Sequence, residues 1–165
     1  MSVKFIKHSG GIYTLFTKET IKADLTDVWD FFSKPSNLNM LTPQDLEFKI
    51  TSGNPKEFYE GKIITYKIKL LGFLRFNWTT EITKIKSKKY FIDKQLFGPY
   101  KLWHHEHHFK DNHDGTISIT DKVKYKLFFY PFSSIVHKLF VKKQLSQIFN
   151  FRKKMIKNIF PQNNY

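Results

Sequence analysis

A chain of 165 residues, 41% hydrophobic and with eighteen Phe, is long enough to bury a useful core in one domain and too aromatic to be disordered. It has no Cys, which excludes disulfides, thiolate catalysis and Cys-ligated metals, and no stretch approaches the roughly 18 apolar residues of a membrane span. The formal net charge of +14 is carried almost wholly by Lys dispersed along the chain, with Arg75 and Arg152 the only arginines. That pattern reads as a solvated basic surface rather than a specific nucleic-acid interface, which favours the forked guanidinium.

The first residues, MSVKFIKHSGG, lack the continuous apolar core of a signal peptide, so a cytoplasmic location without integral membrane contact is expected. Ile12–Lys22 alternates apolar and polar residues and predicts a first strand. Asp24 or Thr26 can cap a short helix over Val28, Trp29, Phe31 and Phe32, which Pro35 ends. A second helical turn is expected through Asn37–Leu41. Leu46–Thr51 is a weak strand, and Gly53-Asn54-Pro55 predicts a turn.

Further strands are predicted over Lys62–Leu71, Leu74–Ile85, Lys89–Phe97, Leu102–Lys110 and Thr116–Leu127. From about Ser134 to Phe160 no Pro or Gly occurs. Val141, Leu145, Ile148, Met155 and Ile159 recur there at helical spacing, widened by Phe149, Ile156 and Phe160. Strands followed by one long amphipathic helix predict an α+β class, with the helix lying along an antiparallel sheet. One domain over 1–165, with a core of about 12–160, is expected.

The most chemically suggestive stretch is Trp103-His104-His105-Glu106-His107-His108-Phe109. Strand alternation puts Trp103, His105, His107 and Phe109 on one face and His104, Glu106 and His108 on the other, so this run is not one metal tract. The aromatic pair marks the first face as interior. Matching it to Ile117, Ile119 and Val123 on the next strand requires a three-residue loop, His113-Asp114-Gly115, and sets His107 opposite Asp121. Asp93 and Gln95, alternating with Phe91 and Phe97, are expected to face the same space. Three readings of this cluster stand side by side. It can be a satisfied structural network, or it can orient a ligand in an apolar cavity. It can also be a catalytic or metal site, since a His–Asp pair can act as a general base and His-x-His with a carboxylate can hold a metal on one face.

Three blocks resemble the SRPBCC superfamily, which includes START lipid-transfer domains and polyketide cyclases, and most closely an uncharacterised bacterial ligand-binding branch of it. They are Val28-Trp29-Asp30-Phe31-Phe32 with Leu41-Thr42-Pro43, Phe91 to Gln95 with Gly98-Pro99-Tyr100 and Trp103/His105/His107/Phe109, and Gly115-Thr116 with Asp121, Val123 and Tyr125. The resemblance implies a helix-grip fold, a curved antiparallel sheet of about seven strands around the long terminal helix, with two short helices after the first strand. It also implies a cavity between helix and sheet that binds a hydrophobic or amphipathic small molecule. The sequence departs from the pattern at Phe128-Phe129-Tyr130-Pro131-Phe132, where a Gly-containing turn is expected.

The expected cavity walls are Phe76, Trp78, Trp103, Phe109, Ile119 and, on the helix, Ile148. Asp93, Gln95, His105, His107 and Asp121 supply polar groups. Arg152 interrupts the apolar row of the helix. Snorkelling to the surface is its expected placement, with a cavity-facing guanidinium the alternative. No cofactor and no metal is expected, and the alternative to a binding protein is a cyclase, dehydratase or hydrolase that uses His107 and Asp121 as acid and base.

Overall fold

The computed structural model describes residues 3–52 and 57–161. Eight antiparallel strands form one sheet in the order β1-β2-β8-β7-β6-β5-β4-β3. They are β1 (Lys4–Lys7), β2 (Ile12–Lys22), β3 (Lys49–Ile50), β4 (Ile63–Leu70), β5 (Leu74–Lys86), β6 (Tyr90–Phe97), β7 (Leu102–Asp111) and β8 (Thr116–Lys126). β1 is an edge strand that the sequence pattern does not announce, because four residues with two Lys carry almost no alternation. The expected Gly53-Asn54-Pro55 turn lies outside the described residues.

Helix α1 (Leu25–Phe32) starts where Asp24 accepts a hydrogen bond from the Thr26 backbone N–H at 2.6 Å, and it buries Val28, Trp29 and Phe32. It stops before Pro35, which opens a 3₁₀ segment, Pro35–Leu41, followed by another at Gln44–Leu46. The terminal helix begins as α2 (Ser133–Val136), widens into a π turn over His137–Val141 and continues as α3 (Lys142–Ile159). The residues at both junctions are right-handed helical, so the three pieces run as one rod. α3 buries Leu145, Phe149, Arg152 and Ile156 toward the sheet, while Glu19 on β2 ties its far end through Lys153 (2.9 Å) and Lys157 (3.6 Å).

The sheet bends around this rod. The β5–β6 ladder shifts register twice, between Thr79 and Thr80 and between Ile82 and Lys84, and such irregularities kink and twist a strand. The β7–β8 hairpin has the predicted register, with His107 opposite Asp121 and Phe109 opposite Ile119. Its loop closes with the Asn112 N–H donating to the Thr116 carbonyl at 3.0 Å. Gly115 takes the left-handed conformation there, at φ +79°. No helix among the described residues is long and apolar enough to cross a membrane.

Candidate functional site

The inner faces of β4 to β7, the 3₁₀ segment Pro35–Leu41 and the helix α3 enclose a cavity of about 160 Å³. Of the residues singled out from sequence, Trp78, Asp93, Trp103, His105, His107, Ile148 and Arg152 line it. The walls are chiefly apolar, and the polar side chains gather on β6, β7 and α3.

Alternation on β7 produces this gathering. Trp103, His105, His107 and Phe109 are all buried, while His104, Glu106 and His108 are only partly covered on the outer face. Neighbouring strands then bring carboxylates to both sides of the two rings. Asp93 on β6 sits opposite His105, and Asp121 on β8 sits opposite His107. His105 Nε2 and His107 Nδ1 each lie 3.0 Å from Asp121 Oδ1, and His107 Nε2 lies 2.9 Å from Asp93 Oδ2. The rings pack at 3.7 Å between centroids, and Phe91 stacks on His107 at 4.1 Å.

Arg152 does not reach the surface. It is 7% exposed, its Nη2 is 3.3 Å from Asp121 Oδ1 and 3.1 Å from His107 Nδ1, and its guanidinium stands 5.3 Å over the Phe32 ring. The buried carboxylate of Asp121 is the reason. An anion in the interior needs a cation more than the Arg needs water, so the snorkelling expectation is corrected here.

Charge in this cluster is strongly biased. Burial would raise the Asp121 carboxyl, but Arg152 and the two histidines outweigh it and hold it well below the usual carboxylate range. Asp93 is likewise lowered against its own burial by the hydrogen bond from His107 and the charges around it. Burial, with the adjacent His107 ring adding to it, pushes His105 down to about 4, so His105 is neutral at neutral pH.

Five expected residues lie elsewhere. Asp121 sits behind the histidines, not on the cavity wall. Phe109 packs edge-on beneath α1 against Trp29 (5.6 Å) and Phe32 (5.1 Å). Ile119 is buried in the core around Ile21, Ile117 and Ile156. The Gln95 amide clamps a turn, donating to the Tyr100 carbonyl at 2.6 Å and accepting from its N–H at 3.3 Å. Phe76 joins a separate apolar groove with Leu70, Phe128, Phe129, Phe132 and Val136.

Tyr66 and Thr80 line the cavity and were not singled out. A polar residue on the otherwise apolar inner face of β4 or β5 was the signal available for each. Burial, reinforced by Asp93, raises the Tyr66 phenol well above its ordinary value, so it stays protonated. Two buried donors at this cavity, Trp78 Nε1 and Arg152 Nε, have no hydrogen-bond partner among the described residues.

No protein-family model and no curated protein matches the sequence. Solved structures do match in fold. Truncated norcoclaurine synthase from Thalictrum flavum is 14% identical with a TM-score of 0.66, over 99% of this chain and 98% of that one. Protein Ms6760 from Mycobacterium smegmatis is 16% identical with a TM-score of 0.62, over 93% and 96%. Ginseng major latex-like protein 151 from Panax ginseng is 14% identical with a TM-score of 0.60, over 93% and 100%. The chain therefore has the helix-grip fold. Norcoclaurine synthase from Thalictrum flavum has also been solved in complex with dopamine and hydroxybenzaldehyde.

Proposed function

We propose that the cavity between sheet and terminal helix binds a small hydrophobic or amphipathic molecule, with its apolar part against Trp78, Trp103 and Phe149. The observation that carries this reading is the pair of unpartnered buried donors, Trp78 Nε1 and Arg152 Nε, on residues that line a chiefly apolar cavity with polar groups gathered at one end. A buried donor without an acceptor costs about 1–3 kcal/mol, so a ligand carbonyl or carboxylate placed there recovers a penalty the fold already carries. A cavity of about 160 Å³ suits one aromatic ring or a short chain; drug-sized ligands occupy about 300–1,000 Å³. The ring compounds found with norcoclaurine synthase support this ligand size in the same fold.

Titration with benzoate, followed by tryptophan fluorescence, tests the reading, because Trp78 and Trp103 both face the cavity. Saturable quenching is expected in the natural protein, with at least a tenfold loss of affinity in Ile148→Trp, which fills the cavity. Benzyl alcohol, lacking the carboxylate, should bind more weakly. No saturable response to either compound, together with no co-purifying molecule in native mass spectrometry, would remove the reading.

One observation favours a catalytic variant. His107 lines the cavity while its Nδ1 accepts from Arg152 at 3.1 Å and its Nε2 donates to Asp93 at 2.9 Å, which holds the ring in one orientation as a proton carrier requires. Turnover of a bound compound lost in His107→Gln, with folding retained, would select it. Folding lost with no turnover in the natural protein would leave a structural pair.

A further inference from the structure

Three adjacent strands create four contacts between imidazole nitrogens and carboxylates. His105 Nδ1 and His107 Nε2 lie 3.5 and 2.9 Å from a single oxygen, Asp93 Oδ2. The other nitrogen of each ring, His105 Nε2 and His107 Nδ1, lies 3.0 Å from a single oxygen of Asp121. A neutral imidazole carries one N–H, and a carboxylate can only accept. Two neutral rings therefore supply two protons to four contacts, and two contacts set a nitrogen lone pair against a carboxylate oxygen.

His105 Nε2 donates to Asp121 at 3.0 Å, whereas His107 Nε2 donates to Asp93 at 2.9 Å and its Nδ1 accepts from Arg152 at 3.1 Å. The Asp121 side is the buried back of the cluster, where the same oxygen also receives Arg152 at 3.3 Å. A shift of the His107 proton from Nε2 to Nδ1 completes an anion cradle there, with two N–H groups and a guanidinium on one carboxylate. The Asp93 side faces the cavity. An ion that displaces the proton of His107 Nε2 sends it to Nδ1, 3.0 Å from Asp121, with Arg152 left on Asp121 as well; the lone pairs of both rings and an oxygen of Asp93 then converge on one spot there.

We propose that Asp93, His105 and His107 form a site for a divalent first-row transition-metal ion, with its remaining coordination positions open to the cavity. Metal–nitrogen and metal–oxygen bonds of about 2.0–2.2 Å bring donor atoms to roughly 3–3.5 Å from one another, close to the 3.5 and 2.9 Å that already separate Asp93 Oδ2 from the two ring nitrogens. The three donor atoms all lie within 4.8 Å of one another. Two histidines and one carboxylate on one side are the facial donor set that holds such ions while leaving positions free. Asp121 supplies what ligating histidines ordinarily require, a carboxylate on the far N–H that fixes tautomer and ring orientation.

The charge count agrees. Asp93 and Asp121 with Arg152 and neutral rings leave one buried negative charge, and a dication converts it to one positive charge. That excess favours an anionic group from the cavity as the next ligand. The proposal rests on the cavity assigned above but needs no organic molecule in it.

The test is calorimetric titration of Zn(II) into protein stripped with a chelator, together with the visible spectrum of the Co(II) form. One equivalent of Zn(II) is expected, with structured Co(II) bands of low coordination number. Asp93→Asn should weaken binding at least 100-fold. His104→Gln with His108→Gln, which dismantles the outer histidine pair around Glu106, should leave it unchanged. Failure of the natural protein to take up stoichiometric Zn(II), or an affinity unchanged in Asp93→Asn, would overturn the proposal. Loss of binding in the outer pair would overturn it as well. The Co(II) spectrum reads the site in the natural protein even where a variant fails to fold. Zn(II) binding without benzoate binding removes only the small-molecule reading, and the reverse result removes only the metal.

Discussion

His137, on the π turn of the terminal rod, and His107, on β7, are both buried, at 5% and 3% exposure. His137 stacks on Tyr13 at 3.6 Å between centroids, and its Nε2 lies 2.7 Å from the Tyr125 hydroxyl. Burial raises the Tyr125 phenol; burial, with the Lys142 and Lys7 charges adding to it, lowers His137 to about 4, so a neutral phenol meets a neutral imidazole. His107, with His105 against it, sits between two carboxylates and beside Arg152. A structural histidine needs one good partner, and His137 has it. The His105/His107 cluster carries more charge than such a role requires, and buried charge is costly even when it is paired. The difference separates a neutral, packed end of the interior from a charged end, the one proposed above to bind.

The comparison breaks most sharply at Asp121. Asp121→Ala leaves Arg152 and both rings without their shared acceptor and should destabilise by about 3–5 kcal/mol. At the other end, Tyr125→Phe removes one neutral hydrogen bond and should cost about 1 kcal/mol. Urea unfolding midpoints of the two variants measure the contrast, and equal losses would say that the two ends are equivalent.

The acid response is the next largest effect. His105 and His137 both have folded values near 4, below the ordinary 6.5. The unfolded chain therefore binds protons first, so this stability is fully present above about pH 6.5 and is lost as pH falls toward 4. Melting temperature should drop through that window. His137→Phe should flatten part of the slope, and a slope unchanged by the substitution would contradict neutral burial of His137.

The smallest effect expected is at Gln95. Gln95→Ala unclamps the turn at Tyr100 and should cost about 1 kcal/mol while leaving benzoate affinity unchanged. A tenfold loss of affinity would instead return Gln95 to the site.

Much of this was legible in the sequence, for identifiable reasons. Alternation on β7 and a three-residue loop with Gly115 determine the hairpin register, and the register alone delivers His107 to Asp121. The terminal helix follows from its uninterrupted apolar periodicity, and its π turn does not, because one wider turn barely disturbs that pattern. Arg152 was misplaced because helical spacing gives the side of a helix but not the partner waiting there. That partner is a carboxylate on β8. Phe76 and Gln95 share strand faces with cavity residues, but β5 runs past the cavity into another groove and β6 runs into a turn. Alternation cannot say where along a strand a cavity ends.

A crystal structure of the protein as purified tests the central claim most directly, that the polar end of the interior is a binding site. The account predicts non-protein density in the cavity, with an acceptor within hydrogen-bonding distance of Trp78 Nε1 or Arg152 Nε. A cavity closed by Phe149 and Ile148, with both donors satisfied by the protein itself, would contradict it.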